Sequence, residues 1–346
     1  MNSGLFFLCA CSETDRGGIR LCRMESDVSA PVELALTPLP GTNFLSFSRD
    51  GKTLYATANT KEEGGSAAAF RCGPDGSLQL LSRVSAEGVS SCYVSCSPDG
   101  RYLYTANYSS GSVTEFELAE DGSIVRRIRV IEHRGPCGPV RDRQEKPHTH
   151  CTVFTPDGKY LCVNDLGMDS ILLYPVTPDG LALPAAEWKA EPGEGPRHIL
   201  FDKSGSYAYV VNELASSVTA LRYSDGKLER LGSWSALPPD CPVKTKAAAI
   251  RFSPDGRYLF ATNRGFDSVA CFRIVSPGVL ELADIVSSRG SSPRDFQFLP
   301  GGKIAAAANE FSDQVCLFDY EAGSGTLRYR EGADLTDLPR PLYIAF

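Results

Sequence analysis

Four histidines are the first residues in which to look for chemistry in this 346-residue chain. All of them lie between His133 and His198, and His148, His150 and His198 stand in short polar phrases, the last directly after Arg197. An imidazole titrates near neutral pH, and a guanidinium binds a carboxylate or phosphate through two parallel hydrogen bonds. Histidine and arginine in one cleft would therefore indicate acid–base chemistry on an anionic small molecule.

These phrases belong to a repeat that runs along the whole chain. Ser97–Asn107 reads SPDGRYLYTAN, and Ser253–Asn263 reads SPDGRYLFATN. Looser copies begin at residues 48, 155, 202 and 299. The asparagine that closes the phrase falls at positions 59, 107, 164, 212, 263 and 309, so the intervals run from 46 to 57 residues. A period near 50 with several short strands per unit is typical of a β-propeller.

The repeat predicts an all-β fold, a seven-bladed β-propeller of four-stranded blades that occupies residues 1–346 as one domain. Six phrases give six blades, and the tight Pro-Asp-Gly turns inside them suit antiparallel hairpins. The seventh blade is expected to combine an N-terminal strand, Leu5–Cys11, with a C-terminal strand, Pro341–Phe346. The segment from His133 to Pro147 is rich in Gly, Pro and Arg, and we expect it to be an inserted loop.

Propeller geometry then brings distant polar residues together. The first strand of each blade lies nearest the axis, so residues that enter it and residues that leave the second strand meet at one mouth of the channel. The converging residues are His148, His150, Asp165, Arg197, His198, Glu213, Arg264 and Arg294. Polar residues also line the channels of propellers that act only as scaffolds, and the repeated asparagines have a structural explanation as hydrogen-bonded corners.

At these same positions the sequence resembles the lactonase-type seven-bladed propellers, which include bacterial propeller-type 6-phosphogluconolactonases and fungal carboxymuconate-cyclising enzymes. The likeness covers nearly the whole chain and depends on the order of its phrases. These are Arg143-Gln144, Pro147–His150, Asp165–Asp169, Gly195–His198, Asn212-Glu213, Asn263-Arg264 and Pro293–Phe296. The resemblance implies site residues at His150, Arg197, Glu213 and Arg264, with His148 as the partner in a His-x-His pair.

Opening a lactone requires a base for the attacking water, a donor for the oxyanion and an acid for the leaving alkoxide. We expect His150, Glu213 and Arg197 to be catalytic. His150 is the candidate general base or acid, and Glu213 is either a competing base or an ion-pair partner that orients Arg197. The side chains expected to hold the substrate are Arg143, His148, Asp165, His198, Arg264 and Arg294. For His198, a hydrogen-bonded structural role is the alternative.

Composition excludes several other functions. Lys and Arg number 35 against 42 Asp and Glu, and the resulting charge of −7 argues against nucleic acid or an anionic membrane as partner. The 12 cysteines form no C-x-x-C motif, so we expect free thiols in a cytoplasmic protein without disulfides. The apolar run Leu5–Cys9 is too short to span a membrane. Zinc spacing, a P-loop and a dinucleotide fingerprint are absent from the sequence, so neither a metal nor a cofactor is predicted, although oxygen ligands from distant blades leave a calcium ion in the channel open. The Gly-x-Ser-x-Gly motif of a serine nucleophile is also absent.

The leading hypothesis is hydrolysis of a sugar lactone, 6-phosphogluconolactone, to 6-phosphogluconate. A muconate-type lactonising isomerase would use the same cations to hold a dicarboxylate. A non-catalytic propeller that binds a protein or metabolite is the third possibility. The sequence leaves monomer and weak dimer open.

Overall fold

The strands of the computed structural model, which describes residues 4–24 and 30–346, form seven antiparallel sheets. Six sheets have four strands, and one has a short fifth strand. The first strands are β4 (Thr42–Phe47), β8 (Ser91–Cys96), β12 (Thr149–Phe154), β17 (Pro196–Phe201), β21 (Lys246–Phe252), β25 (Pro293–Phe298) and β29 (Pro341–Ala345). These strands pack against one another in a closed ring, so they are the innermost strands of seven blades. The predicted fold class is confirmed.

The remaining strands complete each blade outward from the axis. The second strands are β1 (Leu5–Ala10), β5 (Thr53–Thr60), β9 (Tyr102–Asn107), β13 (Tyr160–Asp165), β18 (Tyr207–Asn212), β22 (Tyr258–Arg264) and β26 (Ile304–Asn309). The third strands are β2 (Gly18–Arg23), β6 (Gly64–Cys72), β10 (Ser112–Leu118), β14 (Ser170–Thr177), β19 (Ser217–Ser224), β23 (Ser268–Ser276) and β27 (Gln314–Glu321). The outermost strands are β3 (Val32–Pro38), β7 (Leu78–Ser85), β11 (Ile124–Glu132), β16 (Ala186–Lys189), β20 (Lys227–Ser235), β24 (Val279–Ser287) and β28 (Thr326–Tyr329), and β15 (Gly180–Leu181) pairs with β14.

The two ends of the chain share one blade, as the sequence predicts. Strand β29 pairs antiparallel with β1, placing Phe7 opposite Ala345 and Leu8 opposite Ile344, and the blade continues outward through β2 and β3. This pairing closes the ring of sheets and covers the edge that an open sheet would expose.

The turn between the first and second strands has the same backbone shape in six blades. Its glycines, at positions 51, 100, 158, 205, 256 and 302, all have φ between 70° and 72°. Glycine adopts this left-handed conformation without the steric cost that a Cβ brings. The shared turn therefore makes these glycines fixed reference points from which positions in different blades can be compared.

Apolar side chains fill the space between neighbouring blades. One cluster joins Phe44 and Tyr55 of one blade to Val94, Leu103 and Phe116 of the next. Towards the axis, Phe44 stacks on Tyr93 and packs at a tilt against Tyr343, with ring centroids 4.0 and 3.9 Å apart. All three rings line one cavity of the channel, and Phe44 and Tyr343 also line a small cavity beside Arg197. Within the described ranges, no helix is long and apolar enough to cross a membrane.

The inserted segment between β11 and β12 is a loop, as predicted, and it is held in place. The amide of Gly138 donates to the carbonyl of Gly167, and the Gln144 side chain bonds both the amide of Val140 and the carbonyl of Leu166. These bonds fix a turn over residues 140–144. Arg143 is thereby positioned over one mouth of the channel.

Candidate active site

Each innermost strand has a β-bulge near its start, and in four blades the residue at the bulge lines a cavity at the mouth. In β12, Thr149 pairs with Asp165 and Cys151 pairs with Asn164, which leaves His150 as the extra residue. A bulge re-aims the side chain of the residue that it inserts. The corresponding residues of the seven blades are Asn43, Cys92, His150, Arg197, Ala248, Arg294 and Leu342.

The mouth contains a cavity of about 350 Å³. It is lined by Asn43, Ser90, Cys92, Tyr108, Arg143, His150, Glu213, Arg264 and Arg294. Four of these are bulge residues, three lie at the end of a second strand or just beyond it, and Arg143 comes from the inserted loop. The structure thus brings five of the predicted site residues to one cavity.

Glu213 is the centre of a buried charge cluster. Its Oε1 lies 2.5 Å from Arg143 Nη2, and its Oε2 lies 3.0 Å from Arg197 Nε and 2.9 Å from Arg264 Nη2. Burial alone would raise the pKa of Glu213, but the charges of these arginines outweigh it and hold the pKa well below its usual value. Glu213 is therefore a carboxylate at neutral pH with both oxygens occupied.

Arg197 lies beneath the cavity and is held on several sides. Besides its bond to Glu213, its Nη1 donates to the carbonyl of Ala248 at 2.7 Å and lies 3.1 Å from His198 Nε2. Burial, together with the charges of Arg264 and Arg294, lowers the pKa of Arg197 to about 9. The guanidinium still carries its charge at pH 7, with its orientation set by these contacts.

His150 is buried beside the cavity and contacts two rings edge-on, Tyr108 at 5.5 Å and His198 at 5.3 Å between centroids. Its Nδ1 lies 3.7 Å from the Sγ of Cys92. Burial and the charge of Arg197 hold the pKa of His150 well below its usual value, so the imidazole is neutral at pH 7. Within the part of the chain that the structure describes, no hydrogen bond occupies its Nε2.

His198 and Arg294 lie on either side of this arrangement. His198 lies deeper in the channel, where it contacts Tyr93 edge-on at 5.3 Å and shares a smaller adjoining cavity with Arg197. Burial and Arg197 hold the pKa of His198 well below its usual value. Its contacts fit the structural alternative considered from the sequence. Arg294 lines the main cavity, with its Nη1 3.6 Å from Glu310 Oε2.

His148 is not brought to the cavity, although the sequence predicts a substrate contact there. Its ring stacks on Tyr108 with centroids 4.4 Å apart. Its Nδ1 lies 2.9 Å from the carbonyl oxygen of Tyr108, and its Nε2 lies 3.1 Å from Glu145 Oε1. With both nitrogens bonded to protein, His148 supports Tyr108 from behind.

Asp165 is also placed outside the cavity. It is fully buried, and its carboxylate accepts bonds from His133 Nδ1 at 2.8 Å and from the amides of His148 at 2.8 Å and Met168 at 3.0 Å. The opposite ring nitrogen of His133 meets the Tyr174 hydroxyl at 3.0 Å. Asp165 therefore anchors the inserted loop to its blade.

The misplacement of Asp165 has a backbone cause. The amide of Leu166 donates to the carbonyl of His148, just as the amide of Glu213 donates to the carbonyl of Gly195 in the next blade. Leu166 is therefore the residue of its blade that is equivalent to Glu213. Asp165 pairs with β12 as Asn212 pairs with β17. Asn164 precedes by one residue the position that Asn212 holds in its own blade, so the asparagines of these two blades are not equivalent. The Asn164 side chain is buried without a hydrogen-bond partner among the described residues.

Sequence reasoning missed four residues that line the cavity, Asn43, Ser90, Cys92 and Tyr108. A signal for three of them was present. Asn43 and Cys92 each stand eight residues before a turn glycine, as His150 does, and Tyr108 stands eight residues after one, as Glu213 does. Ser90 does not have this eight-residue spacing from a turn glycine.

The donor types at this mouth can also be tested for a metal ion. Within residues 4–24 and 30–346, no group of three or more His, Cys, Asp or Glu side chains could hold one. The cavity instead presents arginines, an imidazole and a phenol. These groups suit hydrogen bonding and proton transfer to an anionic molecule.

Known proteins resemble this chain over nearly its full length. It is 33% identical over 333 residues to the 6-phosphogluconolactonase of Bacillus subtilis, covering 95% of this chain and 94% of that protein. An uncharacterized Staphylococcus aureus protein is 38% identical over 270 residues, 77% of this chain and 78% of its own. The structure of the periplasmic gluconolactonase of Pseudomonas aeruginosa superposes with a TM-score of 0.93 at 30% identity, covering 99% and 98% of the two chains. Because the family model described as lactonase, 7-bladed beta-propeller, matches residues 6–346, the chain belongs to the lactonase family of seven-bladed β-propellers.

Proposed function

We propose that this protein hydrolyses a sugar lactone, 6-phosphogluconolactone, in the cavity at the channel mouth. The observation that carries the proposal is a neutral His150 whose Nε2 has no hydrogen-bond partner among the described residues, beside a cavity whose walls include Arg143, Arg264 and Arg294. The names of the relatives, 6-phosphogluconolactonase and gluconolactonase, support the reaction class.

In the proposed mechanism His150 is the general base. The oxygen of water bonds to the lactone carbonyl carbon while its proton passes to the imidazole. When the ring C–O bond breaks, the imidazolium returns that proton to the leaving alkoxide. A neutral imidazole is the protonation state that this sequence needs at its start, and the low pKa of His150 provides it.

Glu213 fits the role of charge partner better than that of base. Both oxygens of its carboxylate are already bonded to arginines, which leaves neither oxygen free to accept the proton of the attacking water. Its charge holds Arg143 and Arg264 at the cavity wall, and guanidinium donors placed there stabilise the oxyanion as it develops. Arg197 contributes from beneath, where Glu213 and the carbonyl of Ala248 orient it.

Cys92 does not serve as a nucleophile in this scheme. Burial raises the pKa of its thiol to about 12, so the reactive thiolate is scarce at neutral pH. Its contact with His150 Nδ1 instead helps to fix the imidazole. For the compartment we propose the reducing cytoplasm, because all 12 cysteines are free thiols.

The test is proton release from 6-phosphogluconolactone, corrected for spontaneous opening. The variant His150→Ala is expected to lower kcat by about 10²–10⁴-fold, the usual contribution of a positioned acid–base group. An unchanged rate would remove His150 from the mechanism. A muconate-type dicarboxylate assayed in parallel distinguishes the isomerase alternative, and absence of turnover on every lactone would favour a binding propeller.

A further inference from the structure

A second cavity of about 330 Å³ adjoins the first at the same mouth. Its charged lining residues are Lys244, Lys246, Arg264, Asp267, Arg294 and Glu310. Arg264 and Arg294 line both cavities, so their guanidinium groups can contact a ligand in either one. Phe311, which is 70% exposed, adds an apolar surface at the rim.

The charges in this second cavity are unbalanced. One of its two carboxylates, Glu310, lies 2.5 Å from Arg340 and 3.6 Å from Arg294. The other, Asp267, accepts bonds from the amides of Gly265 and Ser292 through one oxygen and has no ion-pair partner among the described residues. Lys244 and Lys246 have no ion-pair partner in the part of the chain that the structure describes.

Lys246 lies close to the arginines of the site. Burial, and after it the charge of Arg143, lower the pKa of its ammonium group. The cavity lining holds four cations, Lys244, Lys246, Arg264 and Arg294, against the two carboxylates of Asp267 and Glu310. This local excess lies in a chain whose total charge is −7. Cations gathered against the overall balance repel one another unless an anion joins them.

We propose that the second cavity binds the phosphate group of the substrate and so selects phosphorylated over unphosphorylated sugar lactones. This inference rests on the proposed function. The lactone ring occupies the first cavity, beside His150, and the phosphate on its exocyclic carbon extends past Arg264 and Arg294 to Lys244 and Lys246. Lysine supplies a compact ammonium charge suited to a phosphate oxygen, and the arginines add planar donors.

The test compares kcat/KM for 6-phosphogluconolactone and for gluconolactone, which lacks the phosphate. The double variant Lys244→Ala/Lys246→Ala is expected to lower the ratio of these two values by about 10–100-fold, as expected for lost hydrogen bonds to a charged group. The single variant Lys246→Arg, which keeps a positive charge at this position, should retain more of the wild-type ratio than the double variant does. The matched control is Lys203→Ala/Lys227→Ala, which removes two exposed lysines that do not line the second cavity.

A binding measurement decides the inference even if the wild type hydrolyses neither lactone. Calorimetry with 6-phosphogluconate and gluconate should show that the wild type prefers the phosphorylated ligand and that the double variant loses this preference by a similar factor. Absence of turnover with this binding pattern would overturn the proposed reaction and support the phosphate site. A wild type that binds both ligands equally, or a double variant that keeps the preference, would overturn the phosphate site.

Discussion

Replacing Glu213 by glutamine tests whether the buried carboxylate is a charge anchor or a base. Glu213→Gln keeps the shape of the side chain and removes the charge that faces Arg143, Arg197 and Arg264 at 2.5, 3.0 and 2.9 Å. Removing one partner of a buried ion pair leaves the other charge uncompensated and typically costs about 3–5 kcal/mol. Because three guanidinium groups lose their common partner, we expect the free energy of unfolding at pH 7 to fall by about that amount.

The pH dependence of this loss follows from the sign of the pKa shift. The folded-state pKa of Glu213 is well below the unfolded value of about 4.3, so its stabilisation is fully present above that pH and is lost as pH falls towards the folded-state pKa. The difference between wild type and variant should therefore be constant from pH 7 to pH 5 and shrink below about pH 4. Urea unfolding at several pH values measures it.

The matched control is Glu117→Gln, which removes a carboxylate 2.6 Å from Arg126 on the surface, where the two side chains are 40% and 68% exposed. Exposed pairs contribute about 0–1 kcal/mol, so this variant should unfold almost as the wild type does. The reasoning would be refuted if Glu213→Gln were equally stable while kcat fell by about 10²–10⁴-fold and the acidic limb of its pH–rate profile disappeared. That result would make Glu213 the base in place of His150.

Two further predictions concern His150 and Asp165. A general base must be unprotonated, and burial holds the pKa of His150 well below 6.5. Wild-type kcat/KM should therefore stay constant as pH falls to 6.5 and decline only at lower pH. A decline centred at or above pH 6.5 would contradict the effect of burial on this pKa. Asp165→Ala deprives His133 and two backbone amides of their buried acceptor, and we expect a loss of about 3–5 kcal/mol in urea unfolding, whereas a loss below about 1 kcal/mol would contradict the anchoring role.

The fold could be predicted from the sequence because each blade repeats the same turn. Each glycine turn predicts the two strands that it joins, and six copies of the turn predict six blades. Only the seventh blade, which pairs Leu5–Ala10 with Pro341–Ala345 and closes the ring, required a topological argument. The loop that carries Arg143 could be located as an insertion. Its hold on the blade through Gln144 and Asp165 could not be predicted, because those contacts join residues with no periodic relation.

The site was only partly predictable, because the residue types that suggest chemistry are not always the residues that the backbone places at the cavity. Histidine and aspartate attract attention as chemical groups, yet His148 and Asp165 have their hydrogen bonds satisfied within the protein. Tyr108 and Cys92 were passed over by type, although the backbone places them at the cavity. The bulges explain the difference, since they determine which side chain turns inward and leave no mark in hydrophobic patterning.

Counting from the turn glycine removes this ambiguity and explains how the propeller builds its site. Two antiparallel strands leave the same turn and rise equally per residue, so positions equally distant from the glycine reach the mouth at similar heights. Eight residues before it stand Asn43, Cys92, His150, Arg197, Ala248 and Arg294, and eight after it stand Asn59, Tyr108, Leu166, Glu213, Arg264 and Glu310. Seven of the nine residues that line the main cavity come from these two sets. Their backbone geometry is set by the turn and the bulge, so side chains at these positions can change the chemistry of the mouth while the strands that carry them keep their pairing.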